Sequence, residues 1–156
     1  MPADTCPLCT PPADELIWRG AGLRVIAVAD ADYPGFTRVI WNGHVAEMTD
    51  LPQADRDTVM RVVYVVEEVM RRMLAPDKVN LAAFGNMVPH LHWHVIPRWR
   101  DDRHFPDAYW APARVQPGQE PEDWERQRQA REQKVASYQQ ALVAALDALA
   151  APAIRP

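Results

Sequence analysis

Apolar residues alternate with histidine through His90-Leu91-His92-Trp93-His94-Val95. That is the period of a β-strand, so His90, His92 and His94 project from one face and Leu91, Trp93 and Val95 from the other. A buried imidazole needs hydrogen-bond partners and changes charge near neutral pH, so such a face reads as a working edge of a sheet and not as core. A surface strand with chance histidines is the alternative, set against three of the chain's five histidines in strict alternation. Upstream, residues 15–20 and 23–29 are short apolar runs joined by Gly20-Ala21-Gly22, the pattern of a hairpin. Residues 30–35 form a turn around Tyr33-Pro34-Gly35, and 36–41 a third strand ending at Asn42-Gly43.

From about Leu51 the period changes to that of a helix. Val59, Val62, Val63, Val66, Val69, Met70 and Met73 fall on one stripe, with Asp50 as N-cap, Pro52 in the first turn and an end near Ala75-Pro76. Residues 78–83 then read as a strand, 84–89 as a loop and 90–97 as the histidine strand. Strands on both sides of the helix imply an α+β fold, an antiparallel sheet with a long helix packed on it. Residues 99–118 carry His104, Phe105, Tyr109 and Trp110 without periodicity, the mark of a functional or packing segment. Residues 121–150 predict one long C-terminal helix whose stripe runs through Trp124, Arg128, Arg131, Val135, Tyr138, Leu142, Leu146 and Leu149. That stripe suits docking on the sheet or contact with a second copy.

A length of 156 residues fits one domain, here 1–118 with an N-terminal knuckle and 119–156 as its helical extension. A formal charge of −4 argues against a general nucleic-acid binder, so an anionic small molecule must be met by local groups. The chain has neither a membrane-length apolar run nor a signal segment, which places the expected protein in the cytoplasm. Cys6 and Cys9 are spaced C-x-x-C within a proline-rich stretch. In a reducing compartment that spacing suits a metal site better than a disulfide, and a redox pair would follow a strand and open a helix.

A neutral histidine held through one ring nitrogen can attack phosphorus with the other, and a neighbour on the same face can meet the phosphate oxygens. His92 is the candidate nucleophile and His94 its companion; Gly85 and Asn86 on the entering loop offer close backbone and an amide donor. Cys6, Cys9, His44 and His90 complete a Cys2His2 set of the kind zinc favours, which would pin the knuckle to the sheet; the alternative is a metal-free knuckle. Trp41, Trp99 and Trp110 are candidate base platforms, with simple packing as the commoner role of a tryptophan.

His90, His92 and His94 followed by Val95 and Ile96 resemble the signature of the histidine-triad (HIT) family. Pro34-Gly35-Phe36, Arg38-Val39-Ile40, His44 and Asp50-Leu51 are similar to its upstream elements, and 81–98 resembles a bacterial branch of dinucleoside-polyphosphate hydrolases. The resemblance implies a HIT-like fold, a homodimer, and a nucleotide hydrolase or nucleotidyl transferase that forms a covalent nucleotidyl-His92. The implied substrate is diadenosine tetraphosphate or a relative, cleaved to AMP and ATP. It places Asn80 and Asn86 near polar substrate contacts and His94 on the phosphate. Zinc would be held by Cys6, Cys9, His44 and His90, as in the similar galactose-1-phosphate uridylyltransferases, with Mg2+ accompanying the substrate phosphates. Phe36 stands where many members have a histidine, and Met87 where some have a serine. A nucleoside phosphoramidate or aminoacyl-adenylate hydrolase, and a zinc-stabilised nucleotide-binding scaffold with little turnover, are the competing functions.

Overall fold

A computed structural model of the chain describes residues 3–9 and 15–150. Five strands, β1 (Leu16–Gly20), β2 (Leu23–Ala27), β3 (Thr37–Trp41), β4 (Lys78–Ala83) and β5 (His92–Arg98), form one sheet in the order β1-β2-β3-β5-β4. Every neighbouring pair is antiparallel. The β1-β2 hairpin turns on Ala21 and Gly22, both with positive φ (50° and 76°), the backbone that matches a two-residue turn to the twist of its strands. The 22-residue helix α1 (Gln53–Leu74) joins β3 to β4.

The valine stripe of α1 packs on Leu91 and Val95 of the central strand region and on Val25 and Val39 of its neighbours, in one buried apolar cluster. Because side chains alternate along a strand, His92 and His94 necessarily leave on the opposite face of the sheet. The helix thus anchors the sheet from behind and keeps the histidine face clear of the core. Helix α1 ends at Ala75, whose left-handed φ of 50° and N–H bond to the Arg71 carbonyl stop the turn before Pro76.

Three expectations are corrected. Pro52, not Asp50, is the N-cap of α1; Asp50 instead closes a short 3-10 turn, Met48–Asp50, through its own carboxylate to the Glu47 N–H. The C-terminal stripe is divided between α2 (Trp124–Glu132) and α3 (Val135–Ala150), with a tight turn at Gln133-Lys134. Its apolar members behave as the spacing implied: Trp124, Tyr138, Leu142 and Leu146 are buried, and α3 lies against α1 and β1. The histidine strand begins at His92, and His90 precedes it in a bend where Leu91 N–H bonds to the Val45 carbonyl.

The aperiodic segment after β5 is organised by one carboxylate. Asp102, 5% exposed, accepts two bonds from Arg98, at 2.6 Å from Nε and 3.0 Å from Nη2. It also accepts from the backbone N–H groups of Trp99, His104 and Phe105 and from the Tyr33 hydroxyl. Burial raises its pKa, but the Arg98 hydrogen bonds and the backbone donors outweigh that, and Asp102 sits below the ordinary aspartate range. Removing it strands a buried guanidinium, so Asp102→Ala is expected to cost about 3–5 kcal/mol in urea unfolding. A loss under about 1 kcal/mol would show that the segment is held by something else.

Candidate active site and metal centre

Cys6, Cys9, His44 and His90 converge, their ligand atoms all within 4.8 Å of one another. His90 Nδ1 lies 3.4 Å from Cys6 Sγ, 3.5 Å from Cys9 Sγ and 3.3 Å from His44 Nδ1, and Cys9 Sγ lies 3.4 Å from His44 Nδ1. A tetrahedral ion with bonds of about 2.3 Å to sulfur and 2.0–2.1 Å to nitrogen would have ligand edges of roughly 3.3–3.8 Å. The four donors therefore fit such an ion in number, type and spacing. His90 Nε2 donates to the Trp41 carbonyl at 2.7 Å, which leaves the Nδ1 lone pair facing the cluster. Burial and the adjoining Cys6 thiol push the Cys9 thiol up, and a cation held beside it would favour its thiolate.

Arg24 of β2, which sequence reasoning passed over, reaches this knuckle. It is 3% exposed and donates to the Leu8 carbonyl and, at 3.0 Å, to Asn42 Oδ1. It thus fixes the chain beside Cys9. Its signal was a charged residue in the otherwise apolar run Leu23-Arg24-Val25-Ile26, since arginine is seldom buried without a task.

His92 and His94 lie at one cleft of about 560 Å³, together with Pro7, Leu8, Arg38, Phe84, Gly85, Asn86, Met87, Val88, Tyr109 and Trp110. Both imidazoles are 8% exposed, more enclosed than a simple sheet edge would make them, because residues 84–88 and 109–110 wall them in. His92 Nδ1 donates to the His90 carbonyl at 2.6 Å, so its Nε2 keeps the lone pair. His94 is the reverse. Arg38 Nε, a donor only, approaches its Nδ1 at 3.4 Å, so the proton belongs on Nε2. The rings are 4.8 Å apart between centroids. The pair thus presents one nucleophilic nitrogen and one N–H donor side by side.

Burial, then Arg38 and His92, push the His94 pKa down to about 3. Burial also lowers His92, against the opposing hydrogen bond to the His90 carbonyl. His94 therefore stays neutral well below the ordinary histidine value of about 6.5, and His92 is shifted in the same direction. The unfolded chain takes up protons first as pH falls, so this contribution leaves stability intact above about pH 6.5 and erodes it from there toward about 3. Thermal melts are expected to fall less steeply with acid in His94→Gln than in the wild type; identical slopes would contradict a depressed His94.

The cleft contains Gly85 and Asn86, and Gly85 has φ of 149°, a backbone that side chains rarely permit. The structure places Asn80 elsewhere: its Oδ1 accepts from Arg98 Nη1 at 2.8 Å, and it lines a separate depression beside Pro106 and Asp107. Phe36 is buried behind His94, 5.7 Å between ring centroids, as part of the wall. Met87 is exposed at the rim. Of the three tryptophans, Trp41 packs beside the apolar core and Trp99 is buried under Arg131, whereas Trp110 lines the cleft edge-on to Phe84 at 4.6 Å. No acidic side chain lines this cleft among the described residues, so Mg2+ finds no carboxylate of the protein there.

The HIT domain family model matches residues 14–101, more than half of the chain. The chain belongs to the HIT family. A solved HIT relative, a histidine triad protein from Marinobacter aquaeolei VT8, superposes with a TM-score of 0.62 at 25% identity, covering 83% of this chain and 93% of that one. A Zn-bound histidine triad family protein from Mycobacterium smegmatis shares the fold with a TM-score of 0.57 at 21% identity, over 90% of this chain and 99% of that one. Among curated proteins, the AP-4-A phosphorylase of Mycobacterium tuberculosis is 30% identical to this HIT chain over 78 residues, 46% of this chain and 40% of that protein. The HIT chain therefore spans less than half the length of the curated relatives it matches. None of its helices, among the described residues, is long and apolar enough to cross a membrane.

Proposed function

We propose that the chain is a nucleotide hydrolase or nucleotidyl transferase acting on an α-phosphate, with diadenosine tetraphosphate or a related dinucleoside polyphosphate as substrate. The observation that carries this is the opposite setting of two adjacent imidazoles: His92 Nδ1 rests on the His90 carbonyl, whereas His94 Nδ1 faces the Arg38 Nε donor, which assigns them opposite tautomers. His92 Nε2 attacks the α-phosphorus, a P–N bond forms, and the P–O bond to the remaining polyphosphate breaks with its electron pair on the departing oxygen. The ring becomes cationic, and its Nδ1–H already rests on a carbonyl that stabilises that charge. His94 Nε2–H meets a non-bridging oxygen as negative charge gathers there. Water or another acceptor then cleaves the P–N bond and restores neutral His92. Asn86 and the Gly85 backbone hold the substrate at the cleft wall, and Trp110 with Phe84 gives a base an aromatic surface.

Zinc is the ion we assign to Cys6, Cys9, His44 and His90, supported by the donor set, its spacing and the Zn-bound relative. Four protein ligands leave no open position, so its part is structural: it ties the knuckle to His90, whose carbonyl orients His92. We read residues 119–156 as an extension of the domain formed by 1–118, which the packing of α3 on α1 and β1 supports.

Phosphorus NMR of diadenosine tetraphosphate incubated with the protein, with and without inorganic phosphate, is the test. AMP and ATP are the expected products in water; ADP and ATP formed only with phosphate would identify phosphate as the acceptor. No conversion in either condition contradicts the proposed activity.

A further inference from the structure

Among the described residues lining the cleft, Arg38 is the only side chain of fixed charge. It stands directly opposite His94 in the β3-β5 ladder, so both side chains leave the sheet on the same face. Three other sheltered arginines have acidic partners: Arg98 has Asp102 at 2.6 Å, Arg103 has Asp32 at 2.8 Å and Glu120 at 2.6 Å, and Arg131 has Asp101 at 2.7 Å, while Arg24, which has none, spends its guanidinium on the Leu8 carbonyl and Asn42 Oδ1. Arg38, half-buried, has no ion pair among the described residues, and its hydrogen bond runs from Nε to a neutral imidazole. Its two Nη nitrogens make no hydrogen bond among those residues and are not among the buried atoms lacking a partner, so they are open to solvent on a residue that lines the cleft. Arg38 lies over the Phe36 ring and shares the cleft with Phe84 and Tyr109; Glu15 acts on it only at a distance, with no ion pair formed, and its fork matches two oxygens of a phosphate.

We propose that Arg38 binds a second phosphate, the one next to the scissile phosphorus, and so selects substrates whose leaving group is itself a phosphate chain. This rests on the nucleotidyl-transfer reading above and adds a specificity to it. As the bond to the α-phosphorus breaks, charge builds on the oxygen that joins the two phosphates. A guanidinium beside that second phosphate takes up this charge, where a neutral amine leaving group would need no such partner. Arg38 therefore does two things with one side chain: Nε sets the His94 proton, and the Nη pair meets the leaving group.

The test compares Arg38→Gln and Arg38→Lys with wild type on two substrates, diadenosine tetraphosphate and adenosine phosphoramidate, alongside calorimetric binding of inorganic tripolyphosphate. In Arg38→Gln, kcat/KM for the tetraphosphate is expected to fall about 100-fold, and the ratio of tetraphosphate to phosphoramidate kcat/KM by about 30-fold or more. Tripolyphosphate affinity is expected to fall with it, and Arg38→Lys to lie between. Thermal melts confirm that each variant is folded. An unchanged ratio, with both substrates falling together, would reduce Arg38 to a positioning residue for His94 and overturn the proposal. Failure of the wild type to turn over either substrate would sink the nucleotidyl-transfer reading instead. Tripolyphosphate binding needs no turnover and still judges Arg38: equal affinity in wild type and Arg38→Gln overturns it.

Discussion

Replacing His92 with glycine is expected to lower kcat on diadenosine tetraphosphate by at least about 10⁴-fold while leaving the fold intact. The size follows from what is lost. Among the described residues, no other side chain at the cleft presents a ring nitrogen with its proton fixed on the far side, because His94 carries its proton on Nε2. His92 lies on the face away from α1, so its removal takes nothing from the apolar core. A melting temperature within about 4 °C of wild type, corresponding to under 1 kcal/mol, is expected alongside the loss. Retained turnover would remove His92 from the chemistry, and a collapse of the melt would mean that the ring is mainly structural.

Loss of the metal is the second large effect expected. Purified protein should carry one zinc per chain, and Cys6→Ser should carry none. Cys6 is 1% exposed, and the four donors draw three separate stretches of chain together, so the bound ion couples directly to folding. The melt is expected to drop by more than about 5 °C, a cost above 1 kcal/mol. Turnover is expected to fall by about 10–100-fold, the usual scale when a residue orienting a reactive group loses its support. The link is covalent and short: the residue that offers Nδ1 to the ion also offers its carbonyl to His92. Metal-free Cys6→Ser with wild-type turnover and stability would show the cluster to be incidental.

Chemistry-bearing residues were legible where the chain concentrates them. Alternating histidines declare a strand face without any knowledge of the partner strands, and two cysteines in an otherwise cysteine-free chain leave few pairings to consider. The Cys2His2 set emerged from donor type, and the fold had only to bring Cys6, Cys9, His44 and His90 together. What escaped depended on register. Arg38 lies in a five-residue strand, and its face is set by its place opposite His94, which nothing local to residues 37–41 reveals. Asn80 has the same difficulty with the opposite outcome: pairing with Ile96 puts it within reach of Arg98, which takes its oxygen. The break between α2 and α3 escaped because the helical stripe continues from Arg131 to Val135 with no glycine or proline to mark the turn. At the start of α1 the chain offered both Asp50 and Pro52, and the short 3-10 turn claimed the aspartate first.

Intact-mass analysis during turnover of diadenosine tetraphosphate, followed by peptide mapping, tests the central claim most directly. The expected result is a chain heavier by one adenylyl group, with the addition on His92 and none in His92→Gly. An adduct on any other residue, or turnover that proceeds through no adduct when the reaction is quenched on the millisecond scale, would contradict it.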